Sequence, residues 1–233
     1  MTKYKYLIFD LDNTLLDFTL SERFALEKIF TTYGIIYNDE TVATYKEING
    51  KLWKKLEEGR IEKSVLLASR FRLFFESQGL EVDGAIADEE YRGFLADRAD
   101  SILGARALLE SVQNLGFCIL SGTNGIGKTQ RRRLENNSFS KYFDKLFISE
   151  ELGFEKPDVR FFDYIFNDLQ IKDHSEVLMI GDSLSSDILG ANRVGIDSVW
   201  FNPDRLINDT LIEPTFEVAQ LQEITDRVLK ARK

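Results

Sequence analysis

The sequence predicts an α/β fold, a doubly wound, Rossmann-like parallel sheet with a mostly helical segment inserted after its first strand. Three observations carry this prediction. Short apolar runs bounded by turn residues recur along the chain, helix-period segments separate the later runs, and a long stretch after the first run holds helices but no strand. Strands that alternate with helices build a parallel sheet covered on both faces.

In chain order, the predicted strands are Tyr6 to Phe9 (YLIF), Phe117 to Ser121 (FCILS), Lys145 to Ser149 (KLFIS), Val177 to Gly181 (VLMIG) and Ser198 to Phe201 (SVWF). Between the later strands, ARALLESVQNLG, VRFFDYIFNDL and SSDILGANRVG carry the apolar period of a helix. Residues 17–97 read as helices: SERFALEKIFTTYG, DETVATYKEINGKLWKKLEEG, EKSVLLASRFRLFFESQG and DEEYRGFLADRAD. Gly34, Gly59 and Gly79 fall where helix C-caps belong. Phe71, Phe74 and Phe75 are expected to form the insertion's own core rather than a ligand box. The expected organisation is a discontinuous α/β core, residues 1–16 and 98–233, and a helical insertion, residues 17–97.

The chain has 233 residues, 43% of them hydrophobic, which suffices for a good-sized core and a smaller companion domain. Its formal net charge of -9 works against nucleic-acid polymers, which are gripped by many Lys and Arg contacts to phosphate. Arg131, Arg132 and Arg133 form the one basic run, and with Glu135 close behind they read as a solvated helix face. No apolar run approaches the roughly 18 residues of a membrane span, and acids arrive too early for a secretory leader, so no membrane association and a cytoplasmic location are expected. A single histidine and a single cysteine exclude Cys/His zinc sites and disfavour histidine-dependent hydrolysis. Cys118 reads as a small core residue and His174 as part of a polar turn. Catalysis is left to carboxylates, hydroxyls, lysines and a metal.

Two motifs compete for the chemistry. Gly122 to Thr129 (GTNGIGKT) fits the P-loop pattern GxxxxGK[ST] between a predicted strand and helix, with Lys128 as its lysine. The helix after a P-loop turns apolar at once, whereas TQRRRLENN offers Leu134 alone and looks exposed. The second motif, DLDNT, places Asp10 and Asp12 directly after the first strand, at the sheet edge where ligands bind in such folds. Burial and repulsion divide the roles of such a pair: one acid is held ionised by a cation and the other keeps a proton. A further apolar run leads into GDSLSSD, which adds Asp182 and Asp187, and Lys156 in EKPD offers a positive charge. A hard, oxygen-lined site of this kind suits Mg2+, which also neutralises phosphate.

The ordered set FDLDNT, TNG, EKP and GDSLSSD, with a helical insertion after the first motif, resembles the haloacid dehalogenase superfamily of aspartate-nucleophile hydrolases over essentially the whole chain. The stretches EINGKLWKKLEEGRI, SRF and ISEELGFEKP most resemble its pyrimidine 5'-nucleotidase-like branch. The resemblance implies that residues 17–97 are a cap, that Asp10 becomes an aspartyl-phosphate, and that Asp12 acts first as acid and then as base. It also implies Mg2+ held by the Asp10 carboxylate, the Asp12 main-chain carbonyl and Asp182, with Asp187 positioning the metal shell or Lys156. Thr14 is expected to assist at the phosphate. Thr123 and the Asn124 amide are expected to hold it, Ser121 taking that role if its strand ends earlier. In the insertion, Asn49, Trp53 and Arg70 are the substrate-contact candidates, with packing inside the insertion as the competing role for Trp53.

Halide leaves without a proton whereas an alkoxide needs one, so the acid at Asp12 favours phosphatase over dehalogenase chemistry. The sequence thus predicts a Mg2+-dependent hydrolase of a small phosphomonoester, foremost a pyrimidine nucleoside 5'-monophosphate. Phosphoglycolate, a sugar phosphate or a sugar-phosphate mutase reaction are the alternatives. A P-loop NTPase and a non-catalytic binding protein are the remote ones.

Overall fold

The computed structural model describes residues 2–229. Six strands, β1 (Tyr6–Phe9), β2 (Cys118–Thr123), β3 (Lys145–Ile148), β4 (Val177–Gly181), β5 (Asp197–Phe201) and β6 (Phe216–Val218), form one sheet in the order β3-β2-β1-β4-β5-β6. Every neighbouring pair is parallel. Leu7, Phe9, Ile119, Leu178 and Ile180 face one buried cluster, while Ile8, Leu120 and Met179 face the other. Burial on both faces is why these strands read as unbroken apolar runs. The strand order reverses beside β1, which opens a crevice at the carboxyl ends of β1, β2 and β4. Phe9 pairs with both Ser121 and Ile180, so the residue after it emerges in that crevice.

Between β1 and β2 the chain forms α1 (Phe18–Thr32), α2 (Asp39–Glu57), α3 (Lys63–Ser77) and α4 (Gly84–Ala96). Asp17, Asn38 and Asp83 cap the amino ends of α1, α2 and α4 through their side chains. Gly34, Gly59 and Gly79 follow α1, α2 and α3 with φ of 73°, 68° and 75°, the left-handed conformation that ends a helix without a Cβ penalty. These helices share their own aromatic core: Phe30 stacks on Phe74 at 4.5 Å and Tyr45 on Phe71 at 5.0 Å, with Phe75 buried beside them. The sheet is covered by α5 (Ala105–Asn114) on one face and, after α6 (Gly127–Asn136) and the single turn α7 (Ser149–Leu152), by α8 (Val159–Asp168) and α9 (Leu189–Val194) on the other.

Several expectations are corrected. β2 continues to Thr123, so Ser121 is interior to the strand, where its buried hydroxyl accepts from the Phe147 amide at 3.2 Å. β6 gave no signal because three residues are too few to display an alternation. Cys118 opens β2 half-buried, packed against the edge of the core. The basic run is not a uniformly solvated face, because Arg133 and Gln130 are each 1% exposed. What lies beneath that face of α6 is an acid, so its burial leaves no apolar periodicity to read. His174 starts a turn, as expected, and its ring stacks on Phe166 at 4.0 Å. Among the described residues no helix is long and apolar enough to cross a membrane.

The aromatic core of the insertion sets a first expectation. Phe74→Ala removes a fully buried ring and lowers the unfolding free energy by about 3–5 kcal/mol, as read from urea denaturation.

Candidate active site

Asp10 is anchored by its own amide, which donates to the Ile180 carbonyl at 2.8 Å. The chain then folds back sharply: the amides of Leu15 and Leu16 both return to the Leu11 carbonyl, and Asn13 turns through a φ of 57°. This turn tucks Thr14 under the site, where its hydroxyl donates to Asp182 Oδ1 at 3.4 Å while Thr14 itself does not line the cavity.

Lys156, in the connection between α7 and α8, reaches the same point. Its ammonium, 1% exposed, donates to Asp10 Oδ1 at 2.7 Å and to Asp187 Oδ1 at 2.5 Å. The side chain of Asn124 holds the Lys156 backbone like a base pair, accepting from its amide at 2.8 Å and donating to its carbonyl at 2.9 Å. Asp187 is fixed by the Ser183 amide at 3.1 Å on its second oxygen. Gly181 is required here by close approach, because a Cβ at that position would overlap the Asp187 carboxylate.

Asp10, Asp182 and Asp187 bring carboxylate oxygens within 4.8 Å of one another. Three carboxylates against one ammonium leave a formal charge of -2. The imbalance shows in the acids themselves. Burial, reinforced by Asp187, pushes the Asp182 carboxyl up to about 7. Burial likewise pushes Asp10 well above the usual carboxylate range, with Lys156 opposing and the neighbouring acids adding to it. Burial also works against the Lys156 charge, but Asp10 and Asp187 outweigh it and hold the ammonium above its ordinary value. A donor set of hard oxygens, short of two positive charges, fits a divalent cation such as Mg2+.

These groups face a cavity of about 330 Å³. Asp10, Asp12, Thr123, Asn124, Lys156, Asp182 and Asp187 line one wall, and Asn49, Trp53 and Arg70 line the other. All the expected residues except Thr14 therefore converge on it. The Thr123 hydroxyl oxygen accepts from the Gly125 amide at 3.2 Å and from Gln130 at 3.0 Å, so its own proton is left to donate into the cavity. Trp53 packs on the Leu52, Leu56 and Leu66 cluster and reaches the cavity as well. Arg70 is tied to buried Asp88 at 2.6 Å and touches Asn49 Oδ1 at 3.5 Å. Lys128 is exposed and lies outside the cavity, unlike a P-loop lysine.

Sequence reasoning missed several residues. Arg92 shares Asp88 with Arg70 at 2.6 Å and lines the cavity. Lys63, on the insertion, reaches the Asn124 carbonyl at 3.0 Å and Glu155 at 3.0 Å, and Glu57 accepts from Ser185 at 3.1 Å. Gln130 and Arg133 both bond to Asp12. The available signal was positional: polar residues three apart on the helix that follows TNG.

The fold and this group of acids define a hydrolase. Residues 4–195 match the family model described as haloacid dehalogenase-like hydrolase, and the chain belongs to that family. Among similar proteins, pyrimidine 5'-nucleotidase PynA of Streptococcus pneumoniae is 39% identical over 96% of this chain and 94% of its own. Pyrimidine 5'-nucleotidase YjjG of Escherichia coli is 33% identical over 98% and 99%. The crystal structure of the HAD-hydrolase YfnB from Bacillus subtilis, bound to magnesium and described as revealing interdomain movement, superposes with a TM-score of 0.90 at 36% identity, covering 96% of this chain and 97% of that one.

The charge deficit yields a prediction that does not depend on turnover. Mg2+ raises the thermal unfolding midpoint, by about 2.7 kcal/mol of stability at a hundred-fold excess over its dissociation constant. Asp182→Asn removes most of that shift; an unchanged wild-type midpoint at saturating Mg2+ contradicts the metal site.

Proposed function

We propose that this hydrolase of phosphoric monoesters is a Mg2+-dependent 5'-nucleotidase that cleaves pyrimidine nucleoside monophosphates through a phosphorylated Asp10, with residues 17–97 as its cap. The observation that carries the reading is the division of the two acids of DLDNT. Asp10 is buried against Lys156 among like charges, while Asp12 is held separately at the cavity wall.

In the first half-reaction an Asp10 oxygen attacks phosphorus and the bond to the ester oxygen breaks. Asp12 delivers its proton to that oxygen, and the alcohol leaves. In the second, water attacks phosphorus, Asp12 takes the water proton, and the Asp10–phosphorus bond breaks to release inorganic phosphate. Asp12 thereby regains the proton it gave. Lys156 keeps positive charge beside Asp10 throughout, and the Thr123 hydroxyl and Asn124 backbone N–H, both lining the cavity, donate to phosphoryl oxygens in this reading. The Asp10 and Asp182 carboxylates and the Asp12 carbonyl, with Asp187 behind them, would hold Mg2+, which would supply divalent charge to offset that of the phosphoryl group.

The substrate assignment draws on the insertion wall and on the names of two relatives. PynA and YjjG are named pyrimidine 5'-nucleotidases. The wall opposite the acids combines the flat face of Trp53 and the apolar Leu67 and Leu95 with the polar ends of Asn49 and Arg92, which suits a planar ring with a hydrogen-bonding edge. Arg70 and Arg92 share Asp88, and Arg70 also reaches Asn49, so Arg70 is held within the insertion wall.

The test is kcat/KM over nucleoside monophosphates, sugar phosphates and phosphoglycolate, with Mg2+ and with EDTA. Pyrimidine monophosphates rank first and EDTA abolishes turnover; a flat profile or preference for a sugar phosphate contradicts the nucleotidase reading. Asp10→Asn removes at least about a thousand-fold of kcat, and Asp12→Asn about a hundred- to ten-thousand-fold. Nucleoside triphosphate hydrolysis lost in Lys128→Ala would instead favour the P-loop.

A further inference from the structure

The mechanism above leaves a buried polar pair beside Asp12 unused. Gln130 and Arg133 lie three residues apart on α6 and share a face, and both are 1% exposed. A buried guanidinium needs a partner, since an unpaired charge costs several kcal/mol. Its partner is Asp12 Oδ1, and the pair is asymmetric: the Arg133 side chain is 1% exposed and that of Asp12 is 30%. An ion pair serving the core alone would bury both ends. Here the cation sits behind an acid whose other side opens on the cavity.

Gln130 completes the hold. Its amide nitrogen donates to Asp12 Oδ2 at 2.8 Å and to Thr123 Oγ1 at 3.0 Å, while its oxygen accepts from Arg133 at 3.1 Å. The amide can face one way only, because its nitrogen meets acceptors and its oxygen meets a donor. Each Asp12 oxygen accepts one bond from the pair and keeps a second lone pair, so the hold is compatible with the carboxylate and with the protonated acid. Gly125 permits the arrangement, because a Cβ there would come within 2.6 Å of the Gln130 side chain. The helix is itself pinned. Asn136 donates to the Ala96 carbonyl at 2.9 Å, Arg132 pairs with Asp97, and the Arg133 guanidinium lies 5.8 Å from the Phe18 ring.

We propose that Gln130 and Arg133 are positioning residues for Asp12: they aim its carboxyl at the leaving-group oxygen and couple it to Thr123. The inference rests on the reading of Asp12 as acid and base. It predicts a loss that tracks the leaving group's need for a proton. A nucleoside alkoxide needs one, whereas p-nitrophenolate departs without it.

The experiment compares kcat/KM, which reports steps through departure of the leaving group, for a pyrimidine nucleoside monophosphate and for p-nitrophenyl phosphate. The variants are Gln130→Met, Arg133→Met, Arg133→Lys and Gly125→Ala, with thermal unfolding as the check on folding. On the nucleotide, Gln130→Met and Arg133→Met lose about 10- to 100-fold, and that loss exceeds the loss on p-nitrophenyl phosphate by about ten-fold. Arg133→Lys recovers part of it by keeping the charge, and Gly125→Ala reproduces the Gln130→Met pattern. If Arg133→Met does not fold, Gln130→Met and Gly125→Ala decide. Equal losses on the two esters, or no loss, overturn the inference while the phosphatase reading stands. A wild-type enzyme inactive on both esters overturns the two together.

Discussion

The molecule is built around one ammonium group enclosed by acids. Lys156 is the cation through which Asp10 and Asp187 are buried together, and the geometry around it is fixed by the sheet. β1 delivers Asp10, β4 delivers Gly181 and leads through Asp182 into the short helical turn Leu184–Ile188 that carries Asp187, and Asn124, just after β2, grips the Lys156 backbone. Taking Lys156 away would leave acids buried against one another, a far larger penalty than the loss of a surface ion pair. Even with it the group is short of positive charge, a deficit that a divalent cation would fill.

The sheet edge supplies reactivity and the insertion supplies the opposite wall. The two are joined by specific bonds as well as by the polypeptide crossings: Lys63 meets Asn124 and Glu155, and Glu57 meets Ser185. Both contacts fall beside residues that set the acid group, since Asn124 and Glu155 flank Lys156 in space and in sequence, and Ser185 lies in the helical turn that bears Asp187. Movement of the insertion would therefore be felt at the chemical centre, a coupling of the kind lids use to exclude water.

What could be read from the chain follows from how each residue is buried. The strands were legible because both faces of the sheet are covered, and the four insertion helices because glycines in a left-handed conformation end three of them. The acids were legible because they stand directly after apolar runs. Gln130 and Arg133 were not, since a helix face buried against a carboxylate looks the same in sequence as one facing water. The pairing of Arg70 with Asp88, 18 residues away, and the grip of the Asn124 side chain on Lys156, 32 residues away, depend on folded proximity that no local pattern encodes. Thr14 was expected at the phosphate, but the turn after Asp12 places it behind Asp182.

The central claim is that Asp10 carries the phosphoryl group, and trapping it is the most direct measurement. Asp12→Asn enzyme, slowed in the hydrolysis of the intermediate, is quenched in acid during turnover of p-nitrophenyl phosphate with Mg2+, and the peptide containing Asp10 is examined by mass spectrometry. The account predicts one added phosphoryl group on Asp10 that disappears when Asp10→Asn is introduced. A phosphoryl group on another residue, or turnover with no phosphorylated enzyme at any quench time, would contradict it.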